Sequence, residues 1–161
     1  AALSWRLTPP HVRHANRFSW HPLGEVAAVF AGIFATMPPA LAVLRLHGES
    51  LGVSSPWHFY WATGLLSSVL DNAPTYLAFL ALGQGLHLPA EVVGVPHRVL
   101  QAIATGAVFM GANTYIGNGP NLMVRAVAEQ HGVRMPGFFG YLLFSGAVML
   151  PVCAVVGLIF F

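Results

Sequence analysis

The chain has 161 residues, 56% hydrophobic and 7% charged, with seven arginines, no lysine, five acids and a net charge of +2. A soluble domain carries about 25% charged residues, so this composition excludes an ordinary water-facing surface. Its apolar content excludes disorder, and its dispersed arginines form no basic stripe for nucleic acid. The single cysteine, Cys153, excludes a disulfide framework or a cysteine-based zinc cluster. What remains is an all-α integral membrane protein, with membrane lipid as its first partner and no nucleic acid.

Residues 1–24 carry Arg6, Arg13 and Arg17 among prolines and histidines, with no apolar run of signal-peptide length. This opening is expected to be a cytoplasmic or interfacial segment, with Trp5, Phe18 and Trp20 lying along the membrane surface. Between Glu25 and Arg45 lie nineteen uncharged residues, enough to cross a hydrocarbon core of about 30 Å at about 1.5 Å per residue. A transmembrane helix is therefore expected over about 25–46, kinked or ended early by Pro38-Pro39.

The next region has two uncharged runs separated only by Asp71. The second run reaches Gly83 and Gly85 after a short apolar stretch, which suits a re-entrant segment better than a full crossing. Residues 55–86 are thus read as a helical hairpin that dips into the membrane and leaves on the side it entered, with its tip at 71–75. The alternative is a pair of tilted full-length helices.

Residues 99–124 are uncharged, but their second half reads GANTYIGNGPNLMV, rich in poor helix formers. Unwound backbone survives at membrane depth only where protein buries it or where it lines a polar cavity. A broken transmembrane helix is expected over about 98–130. A final plain span over about 137–161 is uncharged to its end. The positive-inside rule places the N-terminal arginines, Arg125 and Arg134 in the cytoplasm.

Asp71 is the one acid far from the end of an apolar region, and an ionisable group at that depth marks an ion path, a proton relay or a counter-ion pair. Asn72, Thr75, Ser67 and Ser68 beside it add neutral oxygens, the ligand set a hard cation such as sodium requires. The alternative role for Asp71 is to cap the second hairpin helix. Asn113, Thr114, Gly117, Asn118, Pro120 and Asn121 form the second candidate element, because exposed helix ends offer carbonyls to cations and N–H groups to anions. A glycine-rich packing face with asparagines bridging helices is the alternative here. No metal pairing is read into the eight histidines. His58 is either interfacial or a proton relay to Asp71, and Trp57, Tyr60 and Trp61 look like an aromatic belt.

The stretch LLSSVLDNAPTYLAF followed by GANTYIGNGPNLMV resembles the ion transporter superfamily. Within it, the chain is similar to the C-terminal half of bacterial sodium:proton antiporter and citrate-transporter-like proteins, relatives of arsenite permeases and divalent-anion/sodium symporters. The resemblance runs from about Phe18 to Phe161 and implies one inverted-repeat half, containing a re-entrant hairpin and an unwound helix. It also implies a missing N-terminal repeat as partner, so that these residues alone would not transport.

Where the symporters have Ser-Asn-Thr at the hairpin tip, this chain has Asp71, Asn72 and, after Ala73-Pro74, Thr75. Their Thr-Pro-Pro-Asn motif becomes Gly117, Asn118, Gly119, Pro120, Asn121. An acid at the tip can hold a proton or a cation, which points to exchange between them. The function implied is secondary active transport by a multi-pass protein of the bacterial inner membrane, with sodium/proton antiport first and sodium-coupled di- or tricarboxylate transport second. No cofactor is implied beyond sodium and protons as coupling ions. Asp71, Asn72 and Asn118 form the candidate sodium site, and a homodimer is the implied assembly. A membrane-embedded enzyme pairing Asp71 with His58 is the distant alternative.

Overall fold

A computed structural model describes residues 7–15 and 21–161. The expected interfacial aromatics Trp5, Phe18 and Trp20 lie outside the described residues. The chain falls into two units, residues 1–36 and 37–161. Among the described residues every regular element is a helix, and the one β feature is an isolated bridge between Val92 and Val95.

Seven α-helices follow in order among the described residues: α1 Pro10–Ala15, α2 His21–His47, α3 Pro56–Ser67, α4 Asn72–Gly85, α5 His97–Met110, α6 Gly119–Gln130 and α7 Phe138–Phe160. Two stretches of the described residues are long and apolar enough to cross a membrane, Ala27–Leu51 and Phe138–Phe160. Pro38 and Pro39 do not end α2, which continues to His47.

Local chemistry sets the helix starts. Ser55 caps α3 by accepting a hydrogen bond from the His58 N–H at 3.3 Å, and Pro56 supplies the preset φ of a first helical residue. Pro74 falls in the first turn of α4, where its missing N–H costs nothing. Pro120 opens α6 in the same way. Between α4 and α5 the chain reverses at Val93 and Gly94, both at positive φ (52° and 82°), the combination that closes a tight two-residue turn.

The core of the larger unit gathers Phe59 and Tyr60 of α3, Leu82 of α4, Val99, Ile103 and Met110 of α5, and Cys153 of α7. Glycines permit its tightest contacts. A Cβ at Gly106 would run into the Tyr60 carbonyl, and one at Gly64 into the Met110 side chain, so α3 and α5 meet backbone to backbone. The open end of the α3–α4 pair lies at the start of α5, where Gly83 faces Val95, Val99 and Phe59. Its turn lies at the far end of α5, where Ser67 and Ser68 bond to the Ala107 and Met110 carbonyls. Helix α7 runs opposite to α5: Ser145 bonds to Asn113, whereas Gly157 packs on Trp57 and Tyr60 near the start of α3.

One sequence expectation is corrected here. Tyr60 is not an interfacial belt residue. It is 0% exposed, and its hydroxyl donates to the Cys153 carbonyl at 2.9 Å. Its place one turn before Gly64, on the face that meets α5, puts the ring in the core.

Candidate functional site

The α3–α4 turn meets the break between α5 and α6. After Met110 the backbone makes a short 3-10 turn over Gly111–Asn113, is extended at Thr114, and resumes as helix at Gly119. Ser67, Ser68, Asn113, Thr114 and Tyr115, drawn from both segments, are all buried.

A dense hydrogen-bond network joins them. Ser68 Oγ donates to the Met110 carbonyl at 2.9 Å and accepts from Asn113 Nδ2 at 3.0 Å. Thr114 Oγ1 donates to the Ser68 carbonyl and accepts from the Gly117 N–H at 2.9 Å. Asn72, with its amide nitrogen turned inward, donates to Ser67 Oγ at 2.7 Å, Ala107 O at 2.8 Å and Gly117 O at 3.1 Å. The reverse orientation would set its oxygen against other acceptors. Asn121 Nδ2 reaches the Thr114 carbonyl at 2.9 Å and the Gly111 carbonyl at 3.3 Å, which ties the first turn of α6 back to the break.

Two glycines make this approach possible. A Cβ on Gly117 would lie 2.6 Å from the Gly111 oxygen, 2.8 Å from that of Ser67 and 2.9 Å from that of Ser68. Three carbonyl oxygens therefore crowd one position that only a residue without a side chain leaves open. A Cβ at Gly111 would run into the Asn72 amide. Asn113 Oδ1 is buried with no hydrogen-bond partner, an oxygen in the same cluster with lone pairs unspent.

The sequence-predicted residues divide. Asn72, Asn113, Thr114, Gly117 and Asn121 share the network. Thr75 is buried, but its hydroxyl donates to the Asp71 carbonyl at 2.9 Å within its own turn. Asp71 is half-buried at the N-cap of α4 and forms no capping bond with its side chain, so the cap reading accounts for its backbone and not for its carboxylate. Asn118 is half-buried at the N-cap of α6, where its carbonyl accepts from the Asn121 N–H, and Pro120 is exposed. His58 is exposed in the first turn of α3, whereas Asp71 follows its last turn. A 12-residue helix spans about 18 Å, so these two do not form an acid/base pair.

Residues outside the sequence prediction complete the frame. Tyr115, 2% exposed, stacks on Tyr141 of α7 with ring centroids 4.0 Å apart, and its hydroxyl reaches the Pro136 carbonyl at 3.2 Å. The Arg125 guanidinium of α6 lies 4.7 Å from the Tyr115 centroid. Ser145 of α7 donates to the Asn113 carbonyl. A signal existed for it, as the one serine or threonine in the apolar segment Phe138–Phe160.

With that geometry described, comparison with known proteins places the chain. All of residues 1–161 match the family described as "Putative citrate transport". The chain belongs to this family. It is also similar to curated relatives named P protein: that of Mus musculus at 28% identity over 59% of the chain, that of Sus scrofa at 30% over 61%, and that of Homo sapiens at 37% over 45%. The chain matches 11%, 11% and 9% of the length of these relatives. No solved structure matches it. Among the described residues the chain also carries two helices long and apolar enough to cross a membrane.

Proposed function

We propose that this chain is one half of a secondary active transporter that exchanges sodium for protons across a bacterial inner membrane. In this reading α3 and α4 form a re-entrant hairpin, and α5 and α6 are the two parts of a single broken transmembrane helix. The observation that supports it is the meeting of the α3–α4 turn with the 111–118 break. Both segments spend their polar groups there on a buried, oxygen-rich cluster, and an otherwise uncapping carboxylate, Asp71, stands at its edge.

Asp71, Asn72 and Asn118 are assigned the coupling cation, with Asn113 Oδ1 and the carbonyls around Gly117 as neighbouring oxygens. In this reading cation and proton share the Asp71 carboxylate as one site, so that binding of one excludes the other. Thr75, Thr114, Gly117, Pro120 and Asn121 shape the tip and the break around it. The partner that completes the site is an N-terminal repeat of the same protein, related to this one by inversion, and the assembly is a homodimer.

The family description favours a second reading, in which the same cluster carries citrate or another di- or tricarboxylate together with sodium. Proteoliposomes of the whole protein with an internal pH-sensitive dye separate the two. The expected outcome is proton movement on adding sodium alone, abolished by Asp71→Asn in a protein that still folds. A signal that requires citrate and sodium together establishes the carboxylate reading. Silence under both conditions from folded protein removes both.

A further inference from the structure

A second feature runs along α5, beside its buried face. A cavity of about 380 Å³ opens between α5 and the last turns of α7, lined by Arg98, Gln101, Thr105 and Phe109 on one side and by the Phe160 and Phe161 end of α7 on the other. Its volume falls within the roughly 300–1,000 Å³ range of small-molecule sites. None of the residues lining it belongs to the candidate transport cluster, and its Arg98 end is twelve residues, about 18 Å along a helix, from Met110.

We propose that this cavity binds an anionic lipid. The spacing of Arg98, Gln101, Thr105 and Phe109 puts them along one stripe of α5. The neighbouring face, with Val99, Ala102, Ile103 and Gly106, is buried in the core. The stripe changes character along its length, from a cation through an amide and a hydroxyl to an aromatic ring. In a protein embedded in lipid, acyl chains cannot satisfy the first three groups, and polar side chains at such a surface require a polar partner.

Among the described residues no carboxylate pairs with Arg98; the ion pair formed there is Arg125–Glu129. A phosphodiester head group fits the polar end. Arginine recognises phosphate with a planar two-pronged donor set, and Gln101 and Thr105 supply further donors. The apolar wall that α7 sets along the stripe, Val156 with Phe160 and Phe161, and Phe109 at its far end suit an acyl chain. A free small carboxylate would use the polar end and leave the aromatic wall without a ligand. Basic pockets between membrane helices are a recurrent setting for anionic head groups. The proposal requires only that the chain lies in a membrane, and it stands apart from the identity of the transported ion.

Native mass spectrometry of the whole delipidated protein, titrated with phosphatidylglycerol or with phosphatidylcholine, tests it. Wild type is expected to retain phosphatidylglycerol in preference. Arg98→Gln should weaken that binding about fivefold, the effect of removing one arginine near an anionic head group. Gln101→Leu should weaken it less, and Arg134→Gln, an exposed arginine outside the cavity, should leave it unchanged. Equal binding of phosphatidylglycerol by wild type, Arg98→Gln and Gln101→Leu overturns the proposal, as does equal retention of the two lipids by wild type. A citrate arm distinguishes the source of the anion: binding of citrate that depends on Arg98, with no retained phosphatidylglycerol, makes the occupant a free carboxylate and overturns the lipid assignment.

Discussion

Gly117 is the residue on which the cluster closes. Its missing side chain admits three carbonyl oxygens within 3 Å of where a Cβ would stand, and all three belong to backbone that cannot rotate away. Gly117→Ala is expected to destabilise the protein by about 1–3 kcal/mol, the usual cost of forcing atoms into a packed interior, and to separate the break from the hairpin turn. Gly119→Ala is the internal control, because a Cβ there meets nothing within 4 Å. Thermal melts in detergent should show a lower Tm for the first and no change for the second.

Ser68 is the other residue-scale test. Its hydroxyl serves Met110 O, Gly64 O and Asn113 Nδ2 together, and the opposite end of the Asn113 amide already lacks a partner. Ser68→Ala therefore strands a buried amide nitrogen, at a cost of about 1–3 kcal/mol. An equal Tm for Ser68→Ala and wild type would show that Asn113 does not depend on this bond.

The broken stretch 111–118 is held as an element by side chains outside it. Tyr115 inserts between α6 and α7, stacked on Tyr141 and covered by the Arg125 guanidinium, while Tyr141 in turn donates to the Ala112 carbonyl at 3.3 Å. Tyr115→Ala removes a buried aromatic ring, a loss of about 3–5 kcal/mol for a large aromatic side chain. Hydrogen exchange should then show protection falling across residues 111–118. Tyr115→Phe, which loses only the bond to Pro136, should cost about 0.5–1.5 kcal/mol and keep most of that protection. Equal protection in Tyr115→Ala and wild type would place the support of this segment elsewhere.

The end of α5 was legible in the sequence. Glycine, proline and asparagine densities reveal where a helix cannot continue, and α5 does end at Met110. The anchoring of the broken stretch was not legible, because Tyr115 and Tyr141 are twenty-six residues apart and nothing in either local sequence announces a stack. The opposite error occurred at Tyr60. Neighbouring tryptophans made it look interfacial, yet the glycines that bring α5 against α3 bury it. Pro38-Pro39 shows a third case, in which a local stop signal did not end the helix containing it.

For the whole molecule, the proposed function makes the pairing of α3–α4 with α5–α6 one side of a site. On the proposed reading the other side comes from an inverted repeat. On that reading the 161-residue chain reconstituted alone is expected to give no sodium-dependent proton flux, and co-expression with such a repeat should restore it. Flux from the isolated chain at the rate of the whole protein would remove the requirement for a second half.

Composition and charge spacing by themselves determined that this is an apolar, helical protein of the membrane class, since too few charges exist to cover a water-facing surface. They also determined which segments depart from plain helix, because glycine, proline and asparagine act on the backbone locally. Tertiary structure alone decided which polar groups meet: Ser67 and Ser68 with Asn113, Thr114 and Asn72, and not Asp71 with His58. That choice depends on two backbones approaching within carbonyl reach at Gly106 and Gly117. Such contacts join residues about forty positions apart, a separation at which helical periodicity carries no information.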